Sequence, residues 1–186
     1  MIGQTIPHFV ESGRINLKTG QARMPDLEYA TALDYLVFTC VDIAFLCENH
    51  LLLARRKRYP RKDWWIIGGR MMAGESPLDT AQRKAWEEAK LPNLERDRFQ
   101  YVGVYSTCFA NREQPPQQNG SHSVNLTYQV RLTPQEQRQV LLTDLEYEPD
   151  YQWFNLSTVQ ELADPSNPLD QALLQVIHDL KRNQLL

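Results

Sequence analysis

With 186 residues and a formal charge of −3, the chain is expected to form one domain with a sizeable core. The mild acidity and a pI near 5.8 argue against general nucleic-acid binding, and no apolar run is long enough to span a membrane. The N-terminus lacks a basic-then-apolar signal pattern, and Cys40, Cys47 and Cys108 are scattered without metal-type spacing. A cytoplasmic protein with reduced thiols is therefore expected.

In chain order, residues 1–34 are weakly patterned. Phe9–Leu17 is an edge-strand candidate and Leu27–Leu33 a short-helix candidate. The segment reads as an N-terminal extension packed on a single domain, 35–186. Tyr35–Cys47 is rich in β-branched and aromatic residues and predicts a buried strand. Glu48–His50 turns it into a second strand, Leu51–Arg55. Asp42, a carboxylate inside the apolar strand, is either outward-facing or paired, or it contacts a ligand from the sheet face. Six of the eight residues from Arg55 to Lys62 are basic. Such a run is usually a solvated loop, but this one precedes a glycine pair and suits phosphate oxygens. Trp64 and Trp65 enter a strand ending at Ile67, where alternation sends one ring to the core and leaves the other to line a pocket.

Gly68–Leu91 is the most informative stretch. Two glycines lead through a loop to Glu75, and Ser76, Pro77 and Asp79 form a helix start. Leu78, Ala81, Ala85 and Ala89 make the buried stripe, and Arg83, Lys84, Glu87 and Glu88 fall mostly on the other side. Adjacent carboxylates and an arginine beside a glycine loop suit a cation holding a diphosphate, with carboxylate oxygens as Mg2+ ligands. The plain alternative is a surface helix with Arg83–Glu87 and Lys84–Glu88 pairs at i, i+4.

Phe99–Phe109 and Ser123–Leu132 read as paired strands around a polar loop, Asn111–Ser121, with His122 at the second strand's start. That histidine is structural or solvated by default, and its place beside the loop makes it a catalytic candidate. Pro134–Gln139 is a short turn or helix. An acidic run, Asp144–Asp150, precedes a strand at Tyr151–Phe154. Ser157–Gln160 has a capping-box pattern for a helix to Ala163. A last helix from Pro168 carries Leu169, Leu173, Val176, Ile177 and Leu180 as its core stripe.

The glycine-loop stretch resembles the Nudix box: Gly, five residues, Glu, seven residues, Arg-Glu-(apolar)-x-Glu-Glu-x-Gly-(apolar). Gly69, Glu75, Arg83, Ala85, Glu87, Glu88 and Leu91 match in register, while Lys84 replaces a Glu and Lys90 replaces the late Gly. The resemblance covers residues 35–183 and implies an α+β fold, a mixed β-sheet sandwiched between α-helices. Within the Nudix hydrolases, WWIIGGR at Trp64–Arg70, Gly103-Val104-Tyr105 with His122, and Asp150–Trp153 are most similar to the GDP-mannose mannosyl hydrolase branch. That branch implies Mg2+, or Mn2+, on the Gly69 carbonyl and Glu88 with Glu87 close by. It implies Arg55, Arg70 and Arg83 on phosphate, and Asp42 against substrate. Its base is not transferable; Glu146 or Glu148 is the carboxylate available. The implied reaction is hydrolysis of a nucleoside diphosphate sugar to sugar and nucleoside diphosphate. A diphosphatase cutting the P–O–P linkage and a non-catalytic nucleotide-binding module stay open, and so does a homodimer.

Overall fold

The computed structural model describes residues 6–11 and 24–184. In the predicted edge strand Phe9–Leu17, residues 9–11 carry no regular structure, and the remainder lies outside the described residues. Helix α1 is Asp26–Tyr35. The apolar run becomes β1 (Phe38–Cys47), and a turn with Glu48 in the left-handed region (φ 51°) reverses it into β2 (His50–Arg55). The single strand expected at Trp64–Ile67 is two short ones, β3 (Trp64–Trp65) and β4 (Ile67–Arg70). The chain changes neighbour at Ile66: β3 pairs with β2, and β4 pairs with β1.

Helix α2 (Pro77–Ala89) starts as its sequence dictates: Ser76 Oγ accepts from Asp79 N at 3.1 Å, and Asp79 Oδ2 accepts from Ser76 N at 2.9 Å. It ends at Lys90 with φ 57°, a left-handed conformation that glycine adopts at no steric cost. Then come β5 (Gln100–Phe109), β6 (Ser121–Arg131), α3 (Pro134–Gln139), β7 (Gln152–Asn155) and α4 (Pro168–Gln184). The helix expected from Ser157 is only a 3-10 turn, Val159–Leu162. Ser157 Oγ bonds Asn155 Oδ1 (2.6 Å) instead of capping the turn.

The sheet order is β3-β2-β1-β6-β5, with β4 on β1 and β7 on β2. It is mixed: β1 runs parallel to β6 and antiparallel to β2 and β4. Alternation along β1 builds two cores. Val41, Ile43 and Phe45 pack with Ala81, Ala85 and Ala89 of α2, whereas Ala44 and Leu46 pack with Leu173, Val176, Ile177 and Leu180 of α4. The sheet is thus sandwiched between helices. Among the described residues no helix is long and apolar enough to cross a membrane.

One ion pair ties α3 to the rest. Arg98 Nη1 and Nη2 donate to Glu136 at 2.6 and 2.9 Å, and Glu136 also caps Thr133 N. The Arg98 bonds hold the Glu136 carboxyl at about 2, below its usual 4.5. Since the folded value is the lower one, the stabilisation is present above pH 4.5 and is lost as pH falls toward 2. With the side chain 24% exposed, solvent screening leaves about 1 kcal/mol. Glu136→Gln is expected to lower the melting temperature at pH 7 by about 2–4 °C. The gap to the parent should narrow below pH 4.5 and close near pH 2; a gap that stays constant with pH would reject this assignment.

Candidate active site

Where β4 leaves β1, the sheet opens into a cavity of about 250 Å3. Its floor is Asp42, whose Oδ2 accepts from Asn125 Nδ2 (2.7 Å) and Trp65 Nε1 (3.2 Å). Burial pushes the Asp42 carboxyl up to about 6 against those two donors. Trp65 is therefore the pocket tryptophan, while Trp64 packs edge-on against Phe154. The walls are basic and aromatic: Arg56, Arg58 and Arg70 on one hand, Tyr29, Phe38 and Tyr59 on the other. Arg70 stacks on Tyr29 (4.5 Å to the ring centroid) and on Phe38 (5.5 Å). Arg56 Nη2 reaches Glu146 Oε2 at 3.3 Å. His122 is on the rim, its Nε2 2.8 Å from Ser106 Oγ.

The box helix lies behind the Gly69 edge of this cavity. Glu75 clamps Arg83: Nε donates to Oε1 at 2.6 Å and Nη2 to Oε2 at 2.8 Å. Arg83 also donates to Glu87 Oε2 (3.0 Å) and the Arg70 carbonyl (3.1 Å). These bonds pin the loop to the helix. Lys84 Nζ is 2.7 Å from Glu88 Oε1 and 3.3 Å from Glu87 Oε2. The other Glu88 oxygen accepts from Tyr147 OH. Burial, then the Glu88 charge, pushes that phenol well above its usual range. Glu88, predicted mostly for the outer face, is buried, because Tyr147 of the acidic run folds over it.

A model described as NUDIX domain matches residues 39–176. The chain belongs to this family. Membership makes the protein a hydrolase by family. No curated protein matches it. Among solved structures it is similar to a MutT NUDIX hydrolase from Burkholderia pseudomallei, at 22% identity over 77% of this chain and 98% of that one, TM-score 0.58. It is also similar to the NUDIX domain of Shewanella oneidensis NrtR complexed with ADP ribose, at 20% identity, 88% and 100% coverage, TM-score 0.57. The E. coli dihydroneopterin triphosphate pyrophosphohydrolase shares 14% identity over 80% and 99%, TM-score 0.56. At these identities the likeness establishes the fold.

Nudix hydrolases typically use divalent metal ions, and the sequence reading assigns Gly69, Glu87 and Glu88 to one. The side chains do not fit that ion. Both Glu88 oxygens are engaged, Glu87 faces Arg83 and Lys84, and Glu75 is held by Arg83, Thr80 and Met72 N. Among the described residues no three His, Cys, Asp or Glu side chains are grouped to hold a metal. Gly69, Arg70, Asp42, His122 and Glu146 line the cavity as a set. Besides Glu87 and Glu88, three predicted site residues are placed otherwise. Arg55 is exposed and stacked on Trp64 at 5.0 Å, because the strand ends there and its neighbour Arg56 takes the inward direction. Arg83 spends its donors on the loop. Glu148 is exposed, its N–H bonded to the Arg55 carbonyl at 2.8 Å. Sequence reading did not single out Tyr29, Phe38 and Arg112 as lining residues, and it took Arg56 and Arg58 only as members of the basic run.

Proposed function

We propose that the protein hydrolyses a nucleoside diphosphate linked to a sugar, GDP-mannose being the example the sequence suggests, and releases sugar and nucleoside diphosphate. The observation that carries this reading is the cavity: five arginines, of which Arg61 and Arg112 are paired with Asp170 and Asp34, with aromatic faces and a glycine edge in a volume of about 250 Å3. Arginine forks match diphosphate oxygens, and aromatic faces suit a base or a sugar. ADP ribose, bound by the Shewanella relative, carries its diphosphate on the ribose 5′-oxygen and not on an anomeric carbon, so it belongs in the screen as a compound that only the second reading, P–O–P cleavage, turns over.

In this reading Arg56, Arg58 and Arg70 hold the diphosphate and stabilise it as it departs. Glu146, on the cavity wall, takes the proton of the attacking water once Arg56 turns to the phosphate. Asp42 orients the substrate from the floor through its Trp65 and Asn125 bonds. Attack at the anomeric carbon asks only for stabilisation of the leaving diphosphate, which cationic side chains supply. Cutting the P–O–P linkage is the second reading, and Lys84 in place of a box carboxylate disfavours it.

Hydrolysis in 18O-labelled water should place the label in the sugar. Label in a phosphate, with nucleoside monophosphate and sugar phosphate as products, restores the second reading. Glu146→Gln should lower kcat by roughly 10²–10⁴-fold, whereas Glu148→Gln should leave it near the parent value. The reverse pattern would move the base to Glu148.

A further inference from the structure

The misfit with a divalent ion has a specific form. The Lys84 ammonium is 2.7 Å from Glu88 Oε1 and 3.3 Å from Glu87 Oε2. It also lies against the glycine edge: a methyl group added at Gly69 would meet Lys84 Cε at 2.8 Å, Nζ at 3.1 Å and Glu88 Oε1 at 3.6 Å. A cation thus already stands between Gly69 and the two box carboxylates, where the sequence reading puts Mg2+. It belongs to the chain.

We propose that Lys84 is a built-in cation that replaces the divalent ion, so that the site binds a diphosphate without metal. Resting on the reading of the cavity as a diphosphate site, the argument has three parts. First, the ammonium is fixed. Glu88 is only 5% exposed, and its second oxygen is tied by Tyr147, so the carboxylate is held as an anchor with Lys84 as its counter-charge. Losing either partner would leave a buried charge alone. Second, the ammonium is not fully used. It has three N–H donors, the two carboxylates engage at most two, and the side chain is 17% exposed. One donor is left, and the Gly69 edge that the ammonium lies against lines the cavity. Third, Lys84 and Arg83 answer two of the three charges of Glu75, Glu87 and Glu88 and so weaken the attraction for an added metal. A divalent ion placed within about 4 Å of a fixed ammonium meets repulsion of several kcal/mol at an effective dielectric near 20. Arg83, which bonds Glu87 at 3.0 Å, adds to it. With Arg56 and Arg70 the site has cationic charge enough for a diphosphate.

Two measurements test this on the full chain. In the first, Mn2+ is titrated into the protein alone and followed by electron paramagnetic resonance. The parent should bind no Mn2+ in the micromolar range, and Lys84→Glu, which converts the cation to a carboxylate, should bind it. Mn2+ bound by the parent, or by neither protein, overturns the proposal. In the second, ADP is titrated by calorimetry with EDTA or with Mg2+. The parent's affinity should agree within about twofold between the two buffers, and Lys84→Met should weaken it about tenfold or more. A requirement for Mg2+ overturns the proposal. If ADP binds in neither buffer, the diphosphate reading of the cavity fails, while the Mn2+ titration still decides whether Lys84 stands in for a metal. Far-ultraviolet circular dichroism of both variants separates misfolding from a lost ligand contact, and the parent Mn2+ result needs no variant.

Discussion

Gly68→Ala is expected to cost more than about 3 kcal/mol and to lower the melting temperature by roughly 10 °C. A β-carbon there would lie 2.3 Å from Asp42 Oδ1 and 2.4 Å from the Val41 carbonyl oxygen. The second atom is backbone in the middle of the buried strand β1 and cannot step aside. Gly68 is paired opposite Asp42, and Gly69 opposite Val41, so the added carbon forces β4 away from β1. That movement would open the cavity floor and displace the Gly69 edge together. Thermal unfolding checks it: a melting point within 2 °C or so of the parent would mean that the two strands are not this tightly apposed.

Arg70→Ala is expected to leave stability nearly unchanged and to lower kcat/KM by about 10²–10³-fold on whichever nucleoside diphosphate derivative is turned over. Among the described residues Arg70 has no carboxylate partner within salt-bridge distance, in contrast to Arg56, Arg61 and Arg83. Its guanidinium is held by stacking on Tyr29 and Phe38, which fixes the plane while leaving the N–H edge for a ligand. Arg70→Lys should recover only part of the loss, because an ammonium keeps the charge without the flat fork. Full activity in Arg70→Ala would remove this side chain from the diphosphate site.

Local chemistry made most of the fold legible. The glycine pair, the Ser76–Asp79 start and the alanine stripe fix α2, and alternation along β1 assigns its faces. The site was only partly legible, for three reasons. The register at the end of β2 decides whether Arg55 or Arg56 turns inward, and a basic run gives no hint of it. The pairing of Arg83 with Glu75 converts an apparent phosphate ligand into a loop clamp. Tyr147, in an otherwise mostly acidic run, is buried because it closes over Glu88 and bridges to Arg56 across the sheet edge. The late box position shows the opposite case: the departure at Lys90 has a direct physical reading, a left-handed φ of 57°, once the backbone is known.

Helix α1 contributes more than a covering for the domain. The family match begins at residue 39, yet Tyr29, Leu33 and Phe38 form one wall of the cavity. Asp34 supplies the counter-charge for Arg112, 2% exposed, at 2.8 Å. The segment matched by the family model and the lining of the cavity therefore have different borders. Two proteins sharing every residue of the matched segment but differing in the thirty-odd residues before it would present different walls to the same cavity. Substrate choice in such chains can diverge through an appendage while the box stays fixed. A protein trimmed to the residues of the family match would lack Tyr29, Leu33 and Phe38 of that wall.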